Sequence, residues 1–429
     1  MTYGVTDVRG TADAPRRSDG VDLLGRADLG GYSRPVWLVC VDGDRYVHAT
    51  ARLYHVLLYA DGARPPVDIA RRVTEDTGEE TTGEQVVALV EQRLRPAGLI
   101  AGEEEQARRR PPPQVLAIRH RLTLLPAWLT APAAEGLQHV YRAPLAGLLV
   151  ATAAGANGWV LFGPGARAAM QAALAQPAWL RAVLALQVPR GLFLELGHVA
   201  ALRRAGVRHG AIGLALYTVL PVFFSDVTHA YRLSRAQRIR VDLGGMYFDC
   251  LSTVALFAAF LVTGHPALLL AIVPTLLGML TEFTPFLRLD GYYLLADIVG
   301  VPEPMVLLGP LVRDLWPARR RGRRRLELRP AARLVLLGYL AVVVLFLARP
   351  ALLLAAAGDR VVSAFVAEGA RLAADATAAS TGHDWARMCL DAAGLVSWSL
   401  VPIGLALLSA SLLRAAWWAG RALLAPQAG

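Results

Sequence analysis

The chain is 429 residues long, 55% of them hydrophobic, and its net charge of +10 arises without a single lysine. Soluble domains are about 45–50% apolar, and the excess here lies in long runs after residue 140, which predicts a membrane protein. Arginine clusters beside such runs indicate cytoplasmic anchors rather than a nucleic-acid surface, and three well-separated cysteines exclude a disulfide framework or a thiolate metal site: Cys40, Cys250 and Cys389.

The first hundred residues have the composition of a cytoplasmic region, since the polar N-terminus lacks the apolar core of a signal peptide. Residues 1–33 are predicted to form a flexible tail. Residues 34–102 are predicted to form a small α+β domain with one strand, three short helices and a closing hairpin. Pro66 is expected near the start of the second helix, and Thr82 and Gln85 have capping-box spacing before the third. This order of elements is winged-helix-like.

The pattern from GDRYVHATARLYHVLLYADGARPPVDIARRV to VVALVEQRLRPAGLI resembles the small peptide-chaperone domain of ribosomal-peptide modification systems. The resemblance implies that the domain binds the leader of a precursor peptide by adding it as an extra strand. A DNA-binding-like or plain packing module has the same layout and remains an alternative, because fold alone does not determine function.

A charged, Pro-rich linker is predicted at 103–120, followed by an amphipathic segment at 121–141 on the membrane surface. Residues 211–224 are apolar but too short to cross, and arginines flank them, so a re-entrant or interfacial segment is expected. The second span is expected to be broken at Pro189 and Arg190. The six predicted spans are 143–162, 178–202, 242–264, 266–287, 334–348 and 392–413.

The predicted fold is therefore mainly α: a polytopic helical membrane protein with about six spans, a re-entrant segment and the small N-terminal domain. Arginine clusters lie on one side of the membrane if both termini are cytoplasmic, as the positive-inside rule requires. The expected location is the cytoplasmic membrane of a bacterium, in contact with lipid. A core at 121–310 is followed by an Arg-rich loop and further spans at 311–429.

The second predicted span contains GLFLELGHVA, which has the form of a zinc-protease helix motif with its first histidine missing. Glu195 and His198 are present, and Leu194 stands where the first histidine would be. The fourth span is followed by RLDGYYLLAD, with Asp290. Both spans reach the cytoplasmic side there, so His198 and Asp290 are expected to face each other, and ionisable groups at membrane depth indicate function.

Three motifs in order resemble the core of site-2-protease-like intramembrane zinc metalloproteases over roughly residues 120–310: LELGHVAALRRAGV, AIGLALYTVLPVFFSDVTHAYRLSRAQRIRVDLGGMYFD and PFLRLDGYYLLADIVGVPEP. Within that family the pattern resembles the subgroup fused to a peptide-chaperone-like N-terminal domain, such as the daptide-type maturation proteases. The resemblance implies Zn²⁺ held by His198 and Asp290, with Glu195 as the base that activates water. Leu194 matches the first zinc histidine and cannot bind the metal.

Two further positions depart from the family pattern: Thr284 and Asp249 stand where residues that hold the substrate backbone are more usual. Three residues could replace the lost ligand, and no spacing favours one of them: His229, His209 and Glu282. The ordinary alternative makes the two histidines solvated interfacial residues and pairs Glu282 with an arginine.

Two functions remain open from the sequence. The first is a zinc metallopeptidase that cuts a ribosomally made, modified precursor peptide at the cytoplasmic membrane face. The second is a catalytically inactive relative that binds precursor or product peptide, as a helper of an active protease or modification enzyme or as an immunity protein. A transporter lacks support, because the sequence shows no inverted repeat.

Overall fold

The computed structural model describes residues 14–43, 45–101, 118–164, 166–174, 176–217, 220–284, 288–315 and 326–381. This part is mainly helical and contains two three-stranded antiparallel sheets. Two helices are long and apolar enough to cross a membrane, and a bent helix pair makes a third candidate. These helices are typical of a membrane protein.

The N-terminal module, residues 14–101, packs three helices against a sheet of order β1-β2-β3. Its helices begin where the sequence predicts: Pro66 is at the start of the second, and Thr82 and Gln85 form the capping box of the third. Its elements are β1 (Val21–Arg26), β2 (Trp37–Val41), β3 (Arg45–Ala49), α1 (Ala51–Tyr59), α2 (Pro66–Thr77) and α3 (Gly83–Leu89), which continues as a π-helical turn, Val90–Leu94.

Strand β1 lies inside the segment predicted to be a flexible tail, so that prediction is wrong for this part of it. Val21 is buried and Leu23 is half-buried against the module core, and the strand pairs with β2. The pattern is hard to detect because Leu24 is exposed and the pairing shifts between Leu23 and Gly25, whose φ is +88°. The strand predicted before the first helix is thus one of three, and in place of the predicted closing hairpin the described end of the module has only an isolated bridge between Arg17 and Ile100.

The remaining elements form the helical region. Residues 118–141 include a strand and a short helix, where the sequence predicted an amphipathic surface segment. The elements are β4 (Ile118–Leu125), α4 (Ala127–Leu137), α5 (Ala143–Phe162), α6 (Ala166–Leu174), α7 (Pro177–Arg204), β5 (Ile212–Tyr217), β6 (Leu220–Ser225), α8 (Arg235–Asp242), α9 (Gly244–Thr263), α10 (Pro266–Glu282), α11 (Asp290–Val299), α12 (Pro304–Asp314) and α13 (Pro330–Thr381).

The six predicted spans correspond only in part to these helices. Helices α5 and α9 are the two that are long and apolar enough to cross, and α11 with α12 forms the pair bent by 55°. Helix α10 has 17 residues, and α13 continues through the fifth predicted span for 52 residues. The sixth predicted span, 392–413, lies outside the described residues.

The segment predicted to be re-entrant is a β-hairpin. Strands β5 and β6 pair from Ile212 and Ser225 to Tyr217 and Leu220, and β5 also pairs with β4. An apolar segment too short for a span satisfies its backbone hydrogen bonds in this way without forming a helix.

Helix α7 is continuous, although the sequence predicted a break at Pro189 and Arg190. Proline is tolerated inside such helices when neighbouring helices satisfy the freed backbone groups. Arg190 stays within the helix because its guanidinium pairs with Asp249 of α9. The uninterrupted helix keeps Arg190, Leu194 and His198 on one face, four residues apart.

Helices α7 and α9 cross at two glycines. A Cβ at Gly244 would lie 2.9 Å from the backbone oxygen of Gly197, so only glycine permits this approach. Tyr141 strengthens the crossing by donating its hydroxyl to the same oxygen at 2.8 Å, and the Phe248 ring stacks beside it. The close crossing sets the width of the site between these helices.

The N-terminal module docks on the helical region through the segment after β1. The backbone oxygen of Asp28 accepts from Arg238 Nη2 at 3.0 Å, and its carboxylate accepts from the Arg235 backbone N–H at 2.8 Å. Gly31 has bare backbone contact with α11, since a Cβ there would lie 2.6 Å from the oxygen of Val299. The hydroxyl of Tyr46 accepts from Arg232 Nε at 2.7 Å.

Candidate functional site

A cavity of about 560 Å³ lies between the N-terminal module and helices α7, α8, α10 and α11. The face of α7 with residues 190, 194, 195 and 198 lines it, together with β6. Ala27, Leu29 and His48 of the N-terminal module also line it, so both parts of the chain form its wall.

His198 is buried and its ring is fixed by two contacts. Nδ1 lies 2.7 Å from the backbone oxygen of Val241, to which it donates, so Nε2 is the nitrogen left to face Asp290. Nε2 lies 2.9 Å from Asp290 Oδ2. That oxygen is buried and the contact lacks the direction of a hydrogen bond. Nε2 and Oδ2 are therefore placed to share a proton or to bind a metal ion.

Leu194 lies beside these two groups. A Cβ on Gly245 of α9 would be 2.8 Å from Leu194 Cδ2, 2.9 Å from Asp290 Oδ2 and 2.5 Å from His198 Nε2. The three side chains therefore surround one point next to the bare backbone of Gly245. Two of them offer lone pairs and the third offers a methyl group.

The residues do not complete a zinc site. Structural and catalytic zinc need at least three protein ligands. Within the described part of the chain, no group of three His, Cys, Asp or Glu side chains has an arrangement that could hold a metal ion. His198 and Asp290 fit a metal as two ligands, and Leu194 removes the third.

Glu195 is 8% exposed and lines the cavity. Its carboxylate lies beside the hydroxyl and the backbone N–H of Ser225, at the end of β6. The end of the hairpin thus lines the cavity next to the predicted base. Glu282 also lines the cavity, and its Oε2 lies 3.3 Å from the backbone nitrogen of Asp290, which donates to it.

The other predicted site residues lie away from the cavity wall. Asp249 is fully buried and paired with Arg190. Thr284 donates its hydroxyl to the backbone oxygen of Thr281 at 2.5 Å. His229 Nδ1 contacts the Tyr46 hydroxyl at 3.1 Å. His209 Nδ1 bonds to the backbone oxygen of Gly210 at 2.8 Å. Of the three proposed replacement ligands, Glu282 alone lines this cavity.

Several lining residues were not predicted. Asp242, next to the carbonyl that holds His198, contacts Asp297; burial and then Asp297 raise the pKa of Asp242 to about 8. Asp297 also pairs with Arg238 Nε at 2.7 Å. Burial and then Arg238 lower the pKa of His48. One feature of the sequence could have indicated a charged cavity wall: Arg190 is a charged residue within an otherwise apolar run.

The chain is similar to the Bacillus subtilis (strain 168) protein named "Putative peptide zinc metalloprotease protein YydH", with 30% identity over 112 residues. The match covers 25% of this chain and 44% of the relative, so it spans less than half of that protein. No family model matches the chain. No solved structure matches it either. The similarity is consistent with a metallopeptidase-like role.

Proposed function

We propose that the chain is a zinc-metallopeptidase-like membrane protein that binds a peptide in the cavity beside Glu195, His198 and Asp290, without completing a zinc site of its own. One observation carries the proposal. Leu194 Cδ2 and the paired atoms of His198 and Asp290 surround the same point beside Gly245. A methyl group there leaves the surroundings of a peptidase site without the third ligand.

The proposed ligand is a ribosomally made, modified precursor peptide or its product, as in the daptide-type subgroup of site-2-protease-like proteins. The N-terminal module would bind the leader as an added strand. Its contribution of Leu29 and His48 to the cavity wall supports this arrangement, because a peptide held by the module would already be at the cavity. The proposed location is the bacterial cytoplasmic membrane, with both termini cytoplasmic and about six spans.

A second candidate is an active peptidase that receives the missing ligand from a partner or from a part of the chain beyond the described residues. The retained Glu195 favours it, because the carboxylate lies at the cavity wall beside Ser225. In that case Glu195→Gln should abolish cleavage and leave the thermal unfolding midpoint unchanged. Unchanged cleavage would eliminate Glu195 as the base.

Zinc content separates the two candidates. The natural protein and Leu194→His would be purified in detergent, dialysed against buffered zinc, and assayed for bound metal by mass spectrometry. We expect about one zinc per chain in Leu194→His and far less in the natural protein, because a third lone pair closes the site. Stoichiometric zinc in the natural protein would refute the proposal and support the active peptidase.

A matched control adds a histidine to the same helix away from the cavity. Leu186 is 38% exposed on α7, so Leu186→His tests whether any new imidazole recruits metal. Zinc gain in Leu186→His equal to that in Leu194→His would remove the support for a specific site. Saturable labelling of the natural protein by a photoreactive peptide tests the peptide-binding part of the proposal directly.

A further inference from the structure

A buried ion pair lies one helical turn from the candidate site. Arg190 Nη2 of α7 is 2.6 Å from Asp249 Oδ2 of α9, and Asp249 is 0% exposed. Arginine and carboxylate commonly pair through two parallel hydrogen bonds. Here one nitrogen and one oxygen meet, while Arg190 Nε and Asp249 Oδ1 are buried without a hydrogen-bond partner.

The guanidinium rests on the bare backbone of a third helix. A Cβ at Gly278 of α10 would lie 3.3 Å from Arg190 Cζ and 3.4 Å from Nη1, and still closer to Nη2. Arg190 and Gly278 both line the cavity, whereas Asp249 does not. Asp249 and Gly278 therefore hold the guanidinium at the cavity wall, and Asp249 engages only its Nη2 nitrogen.

The register of the two helices relates this pair to the site. Arg190 precedes Leu194 by one turn on α7, and Asp249 follows Gly245 by one turn on the antiparallel α9. Four residues of helix rise about 6 Å. An extended peptide advances about 3.3 Å per residue. A peptide lying along α7 would therefore reach Arg190 about two residues from the level of Leu194.

We propose that Arg190 is a peptide-binding residue that donates a hydrogen bond to a backbone carbonyl of the peptide in the cavity, and that Asp249 positions its guanidinium. This inference rests on the proposed function, because it assumes that a peptide occupies the cavity. Asp249 is buried and does not contact the peptide itself. Its role in this inference is to act through Arg190.

The charges of the wall favour a neutral carbonyl over a peptide carboxylate. Three arginines line the cavity, and Asp249 and Asp297 already neutralise Arg190 and Arg238. A peptide carboxylate in the cavity would therefore face a wall that contains more acids than arginines. The acids are Glu195, Asp226, Asp242, Glu282, Asp290 and Asp297.

The test uses the full chain in nanodiscs and a defined probe. The probe is an acetylated, amidated octapeptide of alternating leucine and alanine that contains one benzophenone side chain. Saturable photolabelling gives an apparent Kd for the natural protein, for Arg190→Lys and for the double variant Arg190→Met/Asp249→Leu. Thermal unfolding of each protein is recorded in parallel.

The double variant separates binding from folding. Replacing both members of a buried ion pair with apolar residues is often neutral for stability, whereas removing one member is strongly destabilising. We expect the double variant to unfold at the natural temperature but to bind the probe roughly tenfold to a hundredfold more weakly, as for a lost charged hydrogen bond. Natural affinity in the double variant would show that the pair is structural only and would overturn the inference.

Arg190→Lys covers the case in which the double variant does not fold. Lysine keeps the charge beside Asp249 but lacks the planar fork, so we expect at least about tenfold weaker labelling with unchanged unfolding. Unchanged labelling would refute the inference. The free-acid form of the probe should compete no better than the amide. A tenfold advantage for the acid would show that Arg190 binds a peptide carboxylate and not a backbone carbonyl. Absence of saturable labelling in the natural protein would refute the proposed function itself, and the inference with it.

Discussion

Gly245 is the position where one added methyl group tests the geometry of the site. A Cβ there would lie 2.5 Å from His198 Nε2, 2.8 Å from Leu194 Cδ2 and 2.9 Å from Asp290 Oδ2. The leucine methyl can move aside. The imidazole cannot, because Nδ1 is held by the backbone oxygen of Val241 at 2.7 Å. Gly245→Ala must therefore separate α7 from α9 or break that hydrogen bond.

Two effects oppose each other in this substitution. Overpacking a tight interior costs about 1–3 kcal/mol, while alanine stabilises a helix by about 0.5–1 kcal/mol relative to glycine. The net expectation is a destabilisation of about 0–2.5 kcal/mol, with a midpoint near 1 kcal/mol, by these two ranges. Gly155 of α5 is the matched control, because a Cβ there meets no atom within 4 Å. Gly155→Ala should keep or raise stability.

Thermal unfolding of the two variants in detergent, followed by tryptophan fluorescence, measures the difference. We expect the midpoint of Gly245→Ala to fall by several degrees below that of Gly155→Ala. Equal midpoints would refute the close packing of Gly245 against His198 and Asp290. Because that packing defines the point occupied by Leu194, equal midpoints would also weaken the account of the missing ligand.

Two further predictions concern Asp242 and Tyr46. The pKa of Asp242 is raised to about 8, first by burial and then by Asp297, so the fold favours its neutral form and loses stability as pH rises from about 4 to about 8. Asp242→Asn should therefore raise the unfolding midpoint more at pH 8 than at pH 5, and an equal gain at both would contradict the pKa shift. Tyr46→Phe removes the hydroxyl that joins Arg232 and His229, so amide exchange over residues 228–232 should accelerate, whereas unchanged exchange would argue against this docking contact.

The sequence predicted the parts of the site that consist of ionisable residues within or beside apolar runs. His198 and Asp290 were expected to face each other because their two predicted spans reach the same side of the membrane there, and they lie 2.9 Å apart. Their roles as metal ligands, and that of Glu195 as a base, stay predictions. The starts of α2 and α3 were also predictable, because Pro66 and the Thr82 capping box act locally.

The features that the sequence did not predict depend on contacts between distant segments. Arg190 was interpreted as a break in its span because its partner, Asp249, is 59 residues away on another helix. Strand β1 was assigned to a tail because its pairing with β2 compensates for an irregular pattern at Gly25. The proximity of Ser225 to Glu195 was not predictable from the sequence, because it depends on the hairpin that places β6 along α7.

The shared wall of the cavity has a thermodynamic consequence. Leu29 and His48 belong to the N-terminal module and line the same cavity as His198. A ligand that binds this cavity more tightly when the module is docked must strengthen the docking by the same factor by which docking strengthens its binding. Docking of the module and binding of a peptide in the cavity would then form a single reciprocal equilibrium.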